Sequence, residues 1–251
     1  MLTYQEYKAL IIEVNRMRNE VHLFNTEEIS EAALDDLKHK ITLFEAENPD
    51  LIGTNSPNFT IAGGISEGFK KQKHERRMLS LNDIFTLEEL IDWEKRWQDY
   101  AQKNGIKFEL QNDYICEPKI DGLALSLIYE NGELLRAVTR GDGFEGEVVT
   151  DNVRQIKSIP KTITDQRKIE IRGEVFMTKR DFEDLNNQIL NNQKVGKMGK
   201  MGAEGIFANP RNVSSGTIRQ LDSRIVAERN LSFIAYNVFV FEDGGLFLFP
   251  G

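Results

Sequence analysis

A lysine between two carboxylates is the residue of this chain best suited to covalent chemistry. Lys119 lies in the sequence Glu117-Pro-Lys119-Ile-Asp121-Gly122, directly before the apolar run 123–129. A neutral lysine amine is a good nucleophile, and neighbouring groups can orient it or help it to lose its proton. A solvated Glu-Lys-Asp run before a turn would have the same sequence, because short motifs also match by chance. The motif alone leaves both interpretations open.

Further polar clusters interrupt apolar segments of the sequence. Burying a charge is costly unless it is paired or bound to a ligand, so charges in several strands suggest that the strands converge on a polar ligand. Arginine and glycine suit phosphate, through bidentate guanidinium contacts and close approach of the backbone. The clusters are Thr139-Arg140-Gly-Asp-Gly143, Arg172-Gly-Glu174, and the stretch from Phe207 through Arg211 and Arg219 to Asp222.

The amino-terminal part of the sequence predicts a helical hairpin. Apolar residues recur at spacings of three and four through residues 3–22, which predicts a helix with one apolar face. Ser30 is a suitable N-cap for a second helix, which ends near Glu47 before Asn-Pro-Asp. The glycine- and proline-containing residues 52–77 predict a loop or linker.

Two further helices are predicted by their capping residues. Thr86, with Glu89 as a capping-box partner, begins a helix that runs to about Lys103 and offers Trp93 and Trp97 to the core. Thr178 is a suitable cap for a helix over residues 179–190. The glycine- and lysine-rich residues 192–206 predict a mobile loop.

The second half of the sequence predicts strands. Asn131-Gly132 between two apolar runs indicates a tight hairpin. Interleaved strands and helices with hairpin connections predict an α+β fold with antiparallel sheets. The predicted strands cover residues 114–117, 123–129, 133–139, 168–176 and 231–241.

The composition limits the class of protein. No stretch approaches the roughly 18 apolar residues of a membrane span, so no membrane partner is expected. The amino terminus lacks the pattern of a secretory signal. The single cysteine, Cys116, excludes an intramolecular disulfide and a cysteine-rich zinc site. A reducing, cytoplasmic setting is therefore expected.

The charge of the chain argues against a protein that is basic overall and coats nucleic acid. The formal net charge is −8 over 251 residues. Local basic clusters remain, and such clusters are more often solvated faces than binding sites. They are formed by Lys194, Lys197 and Lys200, and by Arg211 with Arg219.

The ordered motifs resemble the adenylation region of bacterial-type NAD-dependent DNA ligases. Lys-x-Asp-Gly is followed by Thr-Arg-Gly-Asp-Gly, Arg-Gly-Glu and Phe-Ala-Asn-Pro-Arg-Asn, and preceded by Met-Leu-Ser-Leu at Met78 and Glu-Ile-Ser at Glu28. A lone Lys-x-Asp-Gly is a weak signal, whereas this ordered set is specific. The resemblance covers residues 3–240 and implies a helical domain with linker over 1–70 and a nucleotidyltransferase domain over 71–251.

The resemblance implies a reaction in which the chain is adenylated. Lys119 matches the family nucleophile, which attacks the α-phosphorus of NAD, releases nicotinamide mononucleotide and becomes AMP-bearing. Asp121 matches a residue that positions this lysine or a magnesium ion, and no metal site made of protein ligands alone is expected. Arg140 matches a contact to the ribose and phosphate.

The resemblance also implies residues that bind NAD and DNA. On the nicotinamide side these are His22 and Asp35. On the adenylate side they are Ser80, Leu81, Glu117, Ile120, Glu174, which accepts a ribose hydroxyl, and Tyr236, which stacks on adenine. For Tyr236 the alternative is a tyrosine in the core of a strand. Arg211 and Arg219 match arginines that contact phosphates of nicked duplex DNA or of the nucleotide.

The sequence departs from the family pattern in the hairpin. His22 and Asp35 are kept, but Val21, Glu31 and Leu34 stand where the family has tyrosine, aspartate and tyrosine. Replacing an aromatic ring by an aliphatic side chain removes stacking for the nicotinamide ring. Recognition of NAD is therefore expected to be weaker or altered.

A second departure lies at the carboxyl end. The sequence stops at Gly251, before the family's Asp-Gly-Val-Val-x-Lys segment and a later lysine, and before its further domains. Losing two lysines from a phosphate pocket should cost orders of magnitude in rate. The expectation is a shortened chain, a natural fragment, or one part of a ligase whose remainder is a second polypeptide.

Three functions are compatible with these observations. The leading hypothesis is the adenylation part of an NAD-dependent DNA ligase, with NAD and Mg²⁺, that seals nicks in replication and repair with help from further domains. The alternative is a non-catalytic nucleotide-binding or assembly subunit of a split ligase. An RNA ligase or capping enzyme would share the lysine motif, but the helical hairpin and the Asn-Pro-Arg-Asn sequence argue against it.

Overall fold

A computed structural model describes residues 2–24, 31–53, 55–58, 68–81, 83–106, 114, 116–194, 206–242 and 245–249. The chain divides into two compact units, one formed by Met1–Met78 with Ile120–Gly251 and the other by Leu79–Lys119. The domain boundary near residue 70 stays a prediction. None of the helices in these ranges is both long enough and apolar enough to span a membrane.

The four predicted helices and four of the five predicted strands are present. The helices are α1 (Tyr4–Phe24), α2 (Glu31–Glu47), α3 (Leu87–Lys103), α4 (Thr150–Val153), α5 (Lys179–Lys194), α6 (Pro210–Ile218) and α7 (Ser223–Glu228), with a 3-10 turn at Pro49–Leu51. The strands are β1 (Lys71–Lys73), β2 (Leu123–Glu130), β3 (Glu133–Thr139), β4 (Glu145–Glu147), β5 (Lys168–Met177), β6 (Leu231–Glu242) and β7 (Gly245–Phe249). Of these elements, α4, α6, α7, β1, β4 and β7 were not predicted.

A five-stranded antiparallel sheet forms the centre of the larger unit. Its strand order is β3-β2-β5-β6-β7, and β1 pairs separately with β4. The hairpin between β2 and β3 turns at Asn131 (φ 53°) and Gly132 (φ 76°). Positive φ at both positions is what the tightest hairpin turns require, and it explains the Asn-Gly sequence. The α+β prediction with antiparallel sheets is confirmed.

Helices cover one face of this sheet and form the main core. Leu125, Leu127 and Tyr129 alternate along β2 and are at most 1% exposed. Alternate residues of a strand point to the same face, so these three lie on the covered face. The core also contains helical side chains, which are Leu185 and Ile189 of α5 and Val213 and Ile218 of α6.

The predicted helical hairpin has a small core of its own. Tyr7, Ile11 and Val14 of α1 pack with Ile41 and Phe44 of α2. The rings of Tyr7 and Phe44 stack with their centroids 4.4 Å apart. The apolar face predicted for the first helix is thus confirmed, whereas the cap predicted at Ser30 lies outside the described residues.

Two predictions about the smaller unit are wrong. Residues 114, 116 and 117 form no strand, because Pro118 has no N–H to donate to a ladder and interrupts the run. Trp93 is 38% exposed rather than part of a core. The cap of α3 is confirmed, since Thr86 Oγ1 accepts a hydrogen bond from Glu89 N at 3.2 Å. Ala101 is the buried residue of this helix.

Candidate functional site

The turn after β3 is determined by its own backbone. Gly143 N donates to Arg140 O at 3.0 Å, and Asp142 Oδ1 accepts from Phe144 N and Glu145 N, both at 2.8 Å. Gly141 has φ +56°, and a Cβ there would lie 1.9 Å from Glu145 O. The Arg-Gly-Asp-Gly sequence is therefore what this turn requires, and the turn fixes the position of Arg140.

Sheet register brings Arg140 and Glu174 to the same place. Arg140 N donates to Ala124 O at 3.1 Å, and Ala124 is also the partner of Glu174 on β5. Burial lowers the pKa of the Arg140 guanidinium, and the negative charge of Glu174 offsets part of this effect. Tyr236 and Arg211 are close enough to act electrostatically on Arg140 as well.

Tyr236 is the extra residue of a β-bulge in β6. Gly173 pairs with Ala235 and Arg172 pairs with Asn237, so Tyr236 has no opposite residue on β5. Bulges re-aim side chains and are frequent beside active sites. Burial, followed by the charge of Glu174, raises the pKa of Tyr236 to about 12. The residue is nevertheless 42% exposed, which argues against a core tyrosine.

Two glycines allow the strands beside these residues to approach closely. A Cβ on Gly173 would lie 2.3 Å from Ile234 O, next to the bulge. A Cβ on Gly122 would lie 2.0 Å from Val175 O, at the start of β2. Real Cβ contacts to backbone are never so short, so both positions need glycine. The close backbone packing therefore explains the glycines of the Lys-Ile-Asp-Gly and Arg-Gly-Glu motifs.

Asp121 forms an ion pair with Arg211 of α6. The distance from Arg211 Nε to Asp121 Oδ1 is 3.2 Å, and both side chains are partly exposed. Helix α6 begins with Asn209 as its cap, whose side chain accepts from Asn212 N at 2.8 Å, and with Pro210 as its first residue. Exposed pairs contribute only about 0–1 kcal/mol, so an incoming anion could compete for this arginine.

Arg219 is directed towards a buried carboxylate. Its Nε lies 3.0 Å from Oε2 of Glu147, whose side chain is only 1% exposed. Its Nη1 donates to Ser215 Oγ at 2.9 Å. These contacts connect α6 to β4, the strand that follows the Arg140 turn. The contact to DNA or nucleotide phosphate stays a prediction for this residue.

The other predicted site residues are described within their own units. Lys119 is the last residue of the unit Leu79–Lys119 and is exposed. Glu117, Ser80 and Leu81 of the same unit are exposed as well. Ile120 is half-buried in the other unit, and Asp35 lies 3.6 Å from Lys38 on α2. The side chain of His22 and residues 195–205 of the predicted loop 192–206 lie outside the described residues, whereas residues 192–194 of that predicted loop are the end of α5. The larger unit thus brings together Asp121, Arg140, Glu174, Arg211 and Tyr236.

His74 contacts the turn in a way that no sequence signal predicted. Its Nε2 lies 3.1 Å from Arg140 O, and its backbone N donates to Phe144 O at 2.8 Å. A carbonyl oxygen only accepts, so Nε2 is the protonated nitrogen in this contact. Burial lowers the pKa of His74 below its ordinary value. In the sequence, His74 begins the polar run His-Glu-Arg-Arg that precedes Met78.

The depressed pKa of His74 predicts a loss of stability in acid. The unfolded chain protonates His74 below about pH 6.5, where the folded chain still resists protonation, so the free energy of unfolding falls as pH falls through this range. His74→Gln keeps an N–H donor without a titrating ring and should flatten the dependence. Urea unfolding at several pH values between 7.5 and 5 measures it, with His39→Gln as the control. Equal pH slopes for wild type and His74→Gln would contradict the prediction.

A magnesium ion bound beside Arg211 would find the carboxylate of Asp121 there. No group of three histidine, cysteine, aspartate or glutamate side chains suited to a metal occurs in the described part of the chain. Mg²⁺ commonly keeps several waters and binds through one or two carboxylates together with substrate phosphates. Asp121, partly exposed beside Arg211, fits that mode of binding. The ion would there neutralise charge on the phosphates.

Comparison with known proteins identifies relatives of this region. Residues 66–246 match the family of the NAD-dependent DNA ligase adenylation domain. A protein named DNA ligase from Campylobacter concisus is 42% identical over 237 residues, which is 94% of this chain and 34% of the relative. DNA ligases from Ligilactobacillus salivarius (40% over 233 residues, 92% and 32%) and Helicobacter pylori (39% over 236 residues, 93% and 33%) are similar. The chain spans about a third of the length of these curated relatives.

Proposed function

The chain belongs to the NAD-dependent DNA ligase family, in its adenylation domain, and from this we propose that it transfers AMP from NAD to Lys119. The ammonium of Lys119 gives one proton to water, its Nζ attacks the α-phosphorus of the adenylyl group, and a second proton leaves Nζ to water. A phosphorus–nitrogen bond forms, and the bond from this phosphorus to the bridging oxygen of the pyrophosphate breaks. Nicotinamide mononucleotide leaves with that oxygen, and AMP stays on the lysine.

The observation that supports this proposal most directly is the convergence of Arg140, Glu174 and Tyr236 inside the matched region. Arg140 supplies fixed guanidinium donors for a phosphate or ribose oxygen. Glu174 is a carboxylate that can accept a ribose hydroxyl. The exposed part of Tyr236 offers a ring on which adenine can stack, a contact worth about 1–3 kcal/mol.

Arg211 and Asp121 form the phosphate side of the proposed site. Arg211 pairs with Asp121, and a phosphate can replace the carboxylate because the pair is partly exposed. Asp121 would then be available to position Lys119 or to share a magnesium ion with the phosphates. Charge neutralisation and alignment of this kind are the main protein contributions to phosphoryl transfer.

The proposed site for the nicotinamide mononucleotide part of NAD keeps fewer of the family's residues than the site for the adenylate part. His22 and Asp35 supply polar groups for nicotinamide mononucleotide, while Val21 and Leu34 give no ring for stacking. The expected consequence is a high KM for NAD rather than loss of the reaction. Ser80, Leu81, Glu117 and Ile120 are proposed to border the adenylate.

Sealing of nicked duplex DNA is proposed for this region only together with the other domains of such a ligase. The relatives named DNA ligase are about three times as long as the matched region. These domains belong either to the same polypeptide or to a partner chain. From this activity we also propose a role in replication and repair and a cytoplasmic location.

The donor test separates this proposal from a purely binding role. The chain is incubated with magnesium and either NAD or ATP, with and without a polypeptide that supplies downstream ligase domains, and its intact mass is measured. One added AMP with NAD, alone or with the partner, is expected. Addition from ATP but not from NAD would contradict the proposal. Nucleotide binding without any adduct would favour the non-catalytic subunit, which the changes at Val21 and Leu34 make the second candidate.

A further inference from the structure

We propose that Arg172 is a positioning residue that fixes residues 74–78, here called the anchor segment, and through them the turn that holds Arg140. The effect on nucleotide binding rests on the proposed function, whereas the structural link does not. Arg172 lies on β5, one residue before Gly173 and the bulge. Its guanidinium connects strands and a loop that are distant in sequence.

Arg172 forms a buried ion pair with Glu170 on the same strand. Arg172 Nε donates to Glu170 Oε1 at 2.7 Å and Nη2 to Oε2 at 3.2 Å. Arg172 is 7% exposed and Glu170 1% exposed. Ser126 Oγ on β2 also donates to Glu170 Oε1, at 2.7 Å. Buried pairs of this kind are often no more stable than apolar residues of similar volume, so core stability alone does not explain it.

The remaining donors of Arg172 reach the anchor segment. Nη1 donates to Arg77 O at 3.0 Å, and Nη2 donates to Arg76 O at 2.7 Å. The guanidinium carbon lies 4.8 Å from the centre of the Phe239 ring on β6. The planar fork of arginine can make these contacts together, whereas the single ammonium of a lysine cannot.

Both ends of the anchor segment donate backbone hydrogen bonds to the Arg140 turn. His74 N donates to Phe144 O at 2.8 Å, and Met78 N donates to Gly143 O at 2.9 Å. The side chain of His74 adds a third contact, from Nε2 to Arg140 O at 3.1 Å. The two carbonyls bonded by Arg172 belong to the residues between these points. Loss of Arg172 therefore releases the middle of the segment that keeps the turn in place.

Arg172 also borders the nucleotide side of the bulge. It pairs with Asn237, the residue after Tyr236, and the charges of Arg172 and Glu170 both act on the Tyr236 hydroxyl. One guanidinium thus influences the position of Arg140 through the anchor segment and the environment of Tyr236 directly. This arrangement predicts that Arg172 affects binding of AMP without contacting it.

The test uses a double variant, because removing Arg172 alone would leave Glu170 buried and unpaired. Glu170→Met with Arg172→Met removes both charges and keeps similar volume. Hydrogen exchange at the amides of His74 and Met78 should become faster by about tenfold or more, while amides of α5 stay unchanged. Unchanged exchange at both amides would overturn the proposal. Arg229→Met is the matched control, since Arg229 is equally buried but contacts Thr217 and the Phe207 ring instead.

Binding of AMP, measured by calorimetry, gives the second readout. The double variant should bind AMP about tenfold more weakly than wild type, and Arg140→Ala should add little in that background. If the losses of AMP affinity caused by the double variant and by Arg140→Ala are additive, Arg172 acts through packing and the link to Arg140 is overturned. If wild type itself neither binds AMP nor forms an adduct, the proposed function fails, and hydrogen exchange alone decides the role of Arg172.

Discussion

Replacing Lys119 by alanine is expected to abolish formation of the AMP adduct. The proposed reaction needs an amine that attacks phosphorus, and neither the methyl group of alanine nor a water molecule can form the covalent intermediate. Removal of a nucleophile lowers the rate by about a thousandfold or more, which in an intact-mass assay means no detectable product. The assay is incubation with NAD and magnesium, together with the downstream domains if these are needed for wild-type activity.

Two controls separate the nucleophile from charge and from folding. Lys119→Arg keeps the positive charge but presents a guanidinium that stays protonated, so it should be as inactive as Lys119→Ala. Both variants should bind AMP within about threefold of wild type, because Arg140, Glu174 and Tyr236 are unchanged. Lys103→Ala, a lysine at the end of α3, should react like wild type. An adduct on the chain lacking Lys119 would contradict the assignment.

Replacing Gly141 by alanine is expected to be the most damaging small substitution in the turn. The φ of +56° already disfavours a side chain, at about 1 kcal/mol. The new Cβ would also lie 1.9 Å from Glu145 O, so the backbone of the turn must move. Together these effects should lower the free energy of unfolding by about 3 kcal/mol or more and weaken AMP binding, because Arg140 moves with the turn. Urea unfolding and calorimetry measure the two effects.

Gly105 offers a control that separates strain from overlap. It has a similar φ of +64°, but no atom lies within 4 Å of the position of its Cβ. Gly105→Ala should therefore cost only about 1 kcal/mol and leave AMP binding unchanged. A loss for Gly141→Ala no larger than that for Gly105→Ala would contradict the account of the turn.

Local sequence signals predicted most of the elements. The alternation along β2, β3, β5 and β6 and the Asn131-Gly132 turn depend on neighbours in sequence, so they could be predicted. The same holds for the cap of α3 at Thr86. The convergence of charged strands could also be predicted, because isolated charges are costly to bury. The chemical roles of the individual residues stay predictions.

Features that depend on distant partners could not be predicted. Helix α6 has a polar sequence, and its cap at Asn209 and first residue Pro210 were the only signals for it. The bulge at Tyr236 arises from the register between two strands far apart in sequence. The carbonyl contacts of Arg172 with Arg76 and Arg77 are invisible in the sequence for the same reason. Trp93 is exposed because the face of α3 that is buried in the smaller unit carries Ala101.

Whether Lys119 receives AMP from NAD is decided by locating the adduct on the chain. The wild-type chain is incubated with NAD and magnesium, with downstream ligase domains present, then digested, and the modified peptide is sequenced by tandem mass spectrometry. We expect a single AMP on the peptide containing Lys119, joined through a phosphorus–nitrogen bond. AMP on any other residue, or no AMP on a chain that binds NAD, would contradict this expectation.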